Sequence, residues 1–226
     1  LSTVTQLAFE NQQEVVQNEK RQRVDNRPYG HGDYVVIKNL YPEDHPYNWT
    51  TIGELEDLQN ATLTDVRSFY EEWYGPNNAT MVIAGDINKK EVKKLVEKYF
   101  GEIKAGPDNG NPEPMPVELS KTKKLYHEDN FARSPRLSMV FPTVDQKHFD
   151  APALELLGQL MGDGKKAPLY KVIVEEKKLA SNLYSYSGTQ EIAGTFNIVV
   201  DGFPTSSLTD VENAVHESFA RFESDS

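Results

Sequence analysis

The chain has 226 residues, 38% of them hydrophobic and 26% charged, with a net charge of −11 and no cysteine. That length holds one large domain or two modest ones. The acidic balance leaves no basic excess to neutralise phosphates, which argues against general nucleic-acid binding, and the missing cysteines exclude disulfides, thiolate metal sites and a Cys nucleophile. No apolar run approaches the ~18 residues of a membrane span.

Val4 to Gly30 has no Gly or Pro before a Pro-Tyr-Gly stop and predicts one long helix. Val4, Ala8, Gln12, Val15 and Glu19 fall on one stripe at ~100° per residue. Two members of that stripe are polar. A carboxylate facing an interior needs a partner, a proton or a metal, so Glu19 is a candidate metal ligand. Its other reading is a carboxylate paired with a nearby Lys or Arg, or one pointing into water.

His31 to Leu40 is expected to be a short helix, followed by an extended segment around Pro42 and Pro46. Thr51 to Asn60 predicts a helix. Thr62 with Asp65 forms a capping box that opens a second one, from Leu63 to Tyr74. Ala79 to Ala84 is an apolar run expected to form a buried strand, and Asn88 to Tyr99 an amphipathic helix. Gly106 to Pro116, rich in Pro, Gly, Asn and Asp, reads as a linker. Beyond it, strands are expected at Thr122–Glu128 and Ser134–Phe141, then a helix at Phe149–Met161. A further helix is expected at Ala167–Lys177, an antiparallel strand pair at Ala180–Ser187 and Thr195–Val200, and a last helix at Leu208–Phe222. Helix–strand–helix order with tight turns indicates layered α/β or α+β domains.

The histidines are His31, His45, His127, His148 and His216, and no two stand at i, i+3 or i, i+4 spacing. No helical ligand pair therefore exists, and a structural or surface role is expected for each. Gly162-Asp163-Gly164 follows a helix instead of a strand, so it is not a phosphate cradle. Asn-Xaa-Thr sites occur at Asn48, Asn60 and Asn78.

Several segments in order resemble the pitrilysin/insulinase family of zinc metallopeptidases, which includes mitochondrial processing peptidase. These are FENQQEVVQNEKRQ with DNRPYG, the run from LYPEDHPYN to VEKYFGEI, and LLGQLMGDGKKAPLYKVIVEEKKLASNLYSYSG. The resemblance implies tandem α+β domains, each an antiparallel-rich sheet with helices on one side. Residues 1–105 would be the later part of a first domain lacking some of its strands, 106–119 the linker and 120–226 most of a second domain. The family hydrolyses peptide bonds with a zinc-activated water, using a His-x-x-Glu-His motif that this chain does not contain.

The family's third zinc ligand falls on Glu19, and a supporting acid seven residues earlier falls on Gln12. The substrate-gripping Arg and Tyr of the partner half correspond to Pro168 and Ser181. The resemblance thus implies Zn2+ in the full-length protein, with no zinc bound and no activity in this chain alone. It further implies a peptide or unfolded-protein substrate, a missing N-terminal segment, a second clamshell half, and support by self-association. An exported, periplasmic bacterial protein is the implied compartment. The alternative is a non-catalytic family member that binds or scaffolds peptides.

Overall fold

The computed structural model describes residues 4–224. The chain divides into two compact units, Leu1–Glu19 with Gly53–Asn111 and Lys20–Ile52 with Pro112–Ser226.

The first unit is helical. Helix α1 runs Gln6–Lys20, α3 runs Leu55–Asn60, α4 runs Leu63–Trp73 and α5 runs Lys89–Phe100, while α2 (Gly32–Leu40) belongs to the second unit. Thr62 and Asp65 close both halves of the expected capping box at α4. The Asn88 side chain accepts from the Lys90 and Glu91 amides and starts α5 in the same way. Asn77 ties the end of the unit together, donating to the Gly106 and Pro107 carbonyls and accepting from the Gly106 amide.

Three expectations fail in this unit. Helix α3 begins at Leu55, not Thr51. Ala79–Ala84 forms no strand: Ala79 is extended, but the run has no ladder partner among the described residues, and Met81, Val82 and Ile83 are exposed. An apolar run announces the side chains of a strand, but the strand itself exists only where a neighbour takes up its backbone groups. The sheltered face of α1 also differs. Ala8, Gln12 and Val15 are exposed, whereas Phe9, Gln13 and Val16 are half-buried. The Gln13 amide donates to the Leu58 carbonyl at the end of α3, which fixes that face inward.

The second unit contains the sheet. Strands β1 (Arg136–Thr143), β2 (Ala180–Thr189) and β3 (Gly194–Gly202) lie in the order β1-β3-β2, all antiparallel. Phe141 faces Phe196 across one pair and Leu183 faces Val200 across the other. Alternation along β3 sends Phe196, Ile198 and Val200 into the core. There they meet Met161 of α6 (Ala151–Gly162), Leu169, Val172 and Ile173, and Val211 and Val215 of α7 (Leu208–Ser224). The helix expected at Ala167–Lys177 is present, but over Tyr170–Glu176 it is wound as a π-helix. The strand expected at Thr122–Glu128 is absent. That stretch is irregular and exposed, and it is held by side chains: Lys123 donates to the Asn39 carbonyl and Lys124 pairs with Glu212 at 2.7 Å.

Candidate functional site

Glu19 is half-buried near the end of α1. The chain then winds through a π-turn, Arg21–Asp25, a geometry that recurs at functional sites. Gln12 lies seven residues earlier on the same face, about 10 Å along the axis, and is exposed. The two therefore share a face, but only Glu19 is sheltered.

The exit of the π-turn is pinned. Tyr29 adopts a left-handed φ of 60°, a strained value for a residue with a Cβ. Its amide donates to Asp129 at 2.8 Å, its hydroxyl donates to the Ser134 carbonyl, and the Arg136 guanidinium stacks on its ring at 3.8 Å. Asp129 also accepts from the Phe131 and Ala132 amides. These bonds, led by the one from Phe131, hold its carboxyl below the usual carboxylate range. Arg136 in turn grips Asp201 with two hydrogen bonds.

The histidines keep structural roles. His45 is buried, and its Nδ1 accepts from the Tyr47 amide at 3.0 Å. That nitrogen therefore carries no proton, so Nε2 bears it and donates to the Met115 carbonyl at 2.9 Å. One nitrogen thus fixes the local turn at Tyr47 and the other fastens Met115. His148 Nδ1 accepts from the Asp150 amide at the start of α6, and His216 stands beside Glu212 on the surface of α7. His31 and His127 approach to 5.9 Å between ring centroids, a pairing across 96 residues that no local spacing reveals. Among the described residues, no group of three or more His, Cys, Asp or Glu side chains is arranged to hold a metal. A zinc site takes three or four such donors, so the residues present do not by themselves fit a zinc ion.

Sequence reasoning missed a second feature. Strand β2 is at the edge of the sheet, and α6 lies directly on it. A Cβ on Gly158 would sit 3.0 Å from the Tyr186 Cα, and one on Gly162 would sit 2.8 Å from the Ser185 Cβ. This close approach leaves a groove of about 380 Å³ lined by Glu155, Gln159 and Asp163 on one wall and Leu183 to Ser187 on the other. The Ser185 and Ser187 hydroxyls are buried and make no hydrogen bond. Burial, with the charge of Asp33, pushes the Tyr186 phenol above its ordinary range. Glycines four residues apart in LLGQLMG were the available signal, since small residues at that spacing let a helix touch its neighbour's backbone. An edge strand beside a groove can accept an extended peptide as a further strand.

Residues 60–225 match the protein family described as the peptidase M16 inactive domain. The chain belongs to this family. It is 31% identical over 196 residues to the zinc protease PqqE of Helicobacter pylori, covering 85% of this chain and 44% of that protein. A probable mitochondrial-processing peptidase subunit beta of Schizosaccharomyces pombe is 22% identical, with 95% of this chain and 48% of that subunit covered. A protease crystal structure from Helicobacter pylori superposes with a TM-score of 0.84 at 27% identity, over 97% of this chain and 53% of that one. The α+β architecture and the pitrilysin/processing-peptidase resemblance thus both hold. The chain spans about half the length of the curated relatives it matches. Glu19 and Gln12 lie outside the residues matched to the M16 inactive domain.

Proposed function

We propose that this M16-family chain is part of a zinc-dependent endopeptidase and does not cleave peptides by itself. The match to the M16 inactive domain carries this reading, together with the 31% identity to a zinc protease. Within it, Glu19 is the carboxylate ligand that joins donors supplied from outside these residues, and Gln12 stands in the supporting position. The half-burial of Glu19 ahead of a π-turn supports that role. Residues 1–105 are read as the later part of one α+β domain, 106–119 as the linker and 120–226 as a second domain. The substrate is an extended peptide or unfolded protein, and the remaining partners are an N-terminal segment, a second clamshell half and further copies of the protein. The compartment proposed is the bacterial periplasm. No helix among the described residues is long and apolar enough to cross a membrane.

The β2 groove favours a second reading, a family member that binds peptides without cutting them. The outer edge of β2, unpaired among the described residues, suits addition of an extended chain and needs no metal.

One experiment separates the two. The full-length protein is offered an unfolded polypeptide with and without a zinc chelator, and both binding and cleavage are followed. Cleavage that disappears on chelation supports the peptidase. Metal-independent binding with no cleavage supports the scaffold.

A further inference from the structure

Gly110 is the only glycine in the chain that follows an asparagine. In the Asp108-Asn109-Gly110 stretch Asp108 and Gly110 are exposed, Asn109 is half-buried, and Gly110 takes a left-handed φ of 63°. Asp108 Oδ1 accepts from the Gly110 amide at 3.1 Å, which holds the stretch in a local Asx-type turn. No Cβ shields the Gly110 nitrogen, and nothing would lie within 4 Å of one. The Asn109 side-chain nitrogen donates to the Glu72 carbonyl at 2.8 Å, in the last turn of α4.

We propose that Asn109 is a site of spontaneous deamidation and isoaspartate formation. Hydroxide takes the Gly110 amide proton, and the nitrogen attacks Cγ of Asn109. A C–N bond forms, the Cγ–Nδ2 bond breaks, and Nδ2 leaves as ammonia after taking a proton from water. Water then opens the five-membered succinimide at either carbonyl, giving aspartate or, with the backbone rerouted through the side chain, isoaspartate. The net reaction consumes one water and releases one ammonia, with no change of oxidation state.

Rival asparagines are worse placed. Asn48 is buried, with both amide atoms engaged by Tyr41 and Lys38. Asn111 precedes Pro112, which has no N–H to attack. Asn60, Asn78 and Asn213 precede alanine, whose Cβ crowds the attacking nitrogen.

The product alters a structural contact. A donor to the Glu72 carbonyl is replaced by a carboxylate at the negative end of a helix, where a second oxygen repels both the carbonyl and the helix dipole. The last turn of α4 loses a tether while the Asn77 bonds to Gly106 and Pro107 remain.

The test is to warm the full chain in mildly alkaline, amine-free buffer and follow it by peptide mapping, with enzymatic methyl labelling to count isoaspartate. Asn109 is expected to convert before any other asparagine, with isoaspartate among the products. Gly110→Ala should slow conversion by about tenfold or more. Asn109→Gln keeps the glycine turn and should abolish ammonia release from this loop, which covers the case in which Gly110→Ala distorts it. Asn109→Asp should raise amide exchange in the last turn of α4. Earlier conversion of another asparagine, an unchanged rate in Gly110→Ala, or undiminished ammonia release from the loop in Asn109→Gln overturns the proposal.

Discussion

The two units carry similar sequence patterns and use them differently. In the second, the apolar alternation of β3 meets helices on one side, and Met161, Ile173, Ile198, Val200, Val211 and Val215 are wholly buried. In the first, α4 and α5 are just as amphipathic, yet Phe69, Trp73, Leu95 and Tyr99 stay exposed and Val82 is 83% exposed. Amphipathicity states which face a helix can bury. Whether the face is buried depends on a layer to receive it, and among the described residues only the second unit has a sheet.

Stability measurements on paired variants read out this contrast. The largest expected effect is Ile198→Ala, at about 2–5 kcal/mol, because deleting a core side chain loses its transfer energy and leaves a cavity. Val82→Ala should stay within about 0.5 kcal/mol, as exposed positions do. Urea unfolding of both variants checks the pair, and similar losses at the two sites would erase the distinction. Gly158→Val comes next, at about 1–3 kcal/mol, since its added carbons press on the Tyr186 backbone at 3.0 Å. It should also close the β2 groove and weaken peptide binding there, read by fluorescence anisotropy.

A smaller loss, about 1 kcal/mol, is expected for Thr62→Ala at the α4 cap. Hydrogen bonds from Thr62, the side-chain bond above all, hold the Asp65 carboxyl below its ordinary range. A depressed folded pKa gives stability that is present above the unfolded carboxylate range and is lost as pH falls through the folded value. The first unit should therefore soften in acid, and Thr62→Ala should flatten that dependence. The second unit has its own acid-sensitive carboxylates. Glu176 and Glu217 are lowered by hydrogen bonds, Glu176 by Arg221 and Glu217 by Lys177 and Arg221, so α7 should loosen in the same direction. Amide exchange at neutral and acid pH follows both.

The elements legible in the sequence were those whose determinants are local. The capping box at Thr62, the amphipathic helix α5, the antiparallel pair β2–β3 and the helix α7 all stand where side-chain type and spacing place them. The failures depend on distant partners. Ala79–Ala84 and Thr122–Glu128 have the composition of strands without a ladder, and the stripe through Gln12 lost to the neighbouring one because Gln13 bonds to α3. Neither the π-turn after Lys20 nor the buried tautomer of His45 leaves a periodic trace. Of the candidate sites, Glu19 was reached through its odd place on a helix and the family resemblance, whereas the β2 groove needed the sheet order.

The zinc content of the full-length protein decides whether Glu19 is a metal ligand. Glu19→Gln keeps the side chain's shape and removes its charge. Metal analysis of the purified variant, with circular dichroism to confirm folding, should show zinc occupancy falling together with peptidase activity. Wild-type zinc content and activity in a folded Glu19→Gln protein would contradict the assignment.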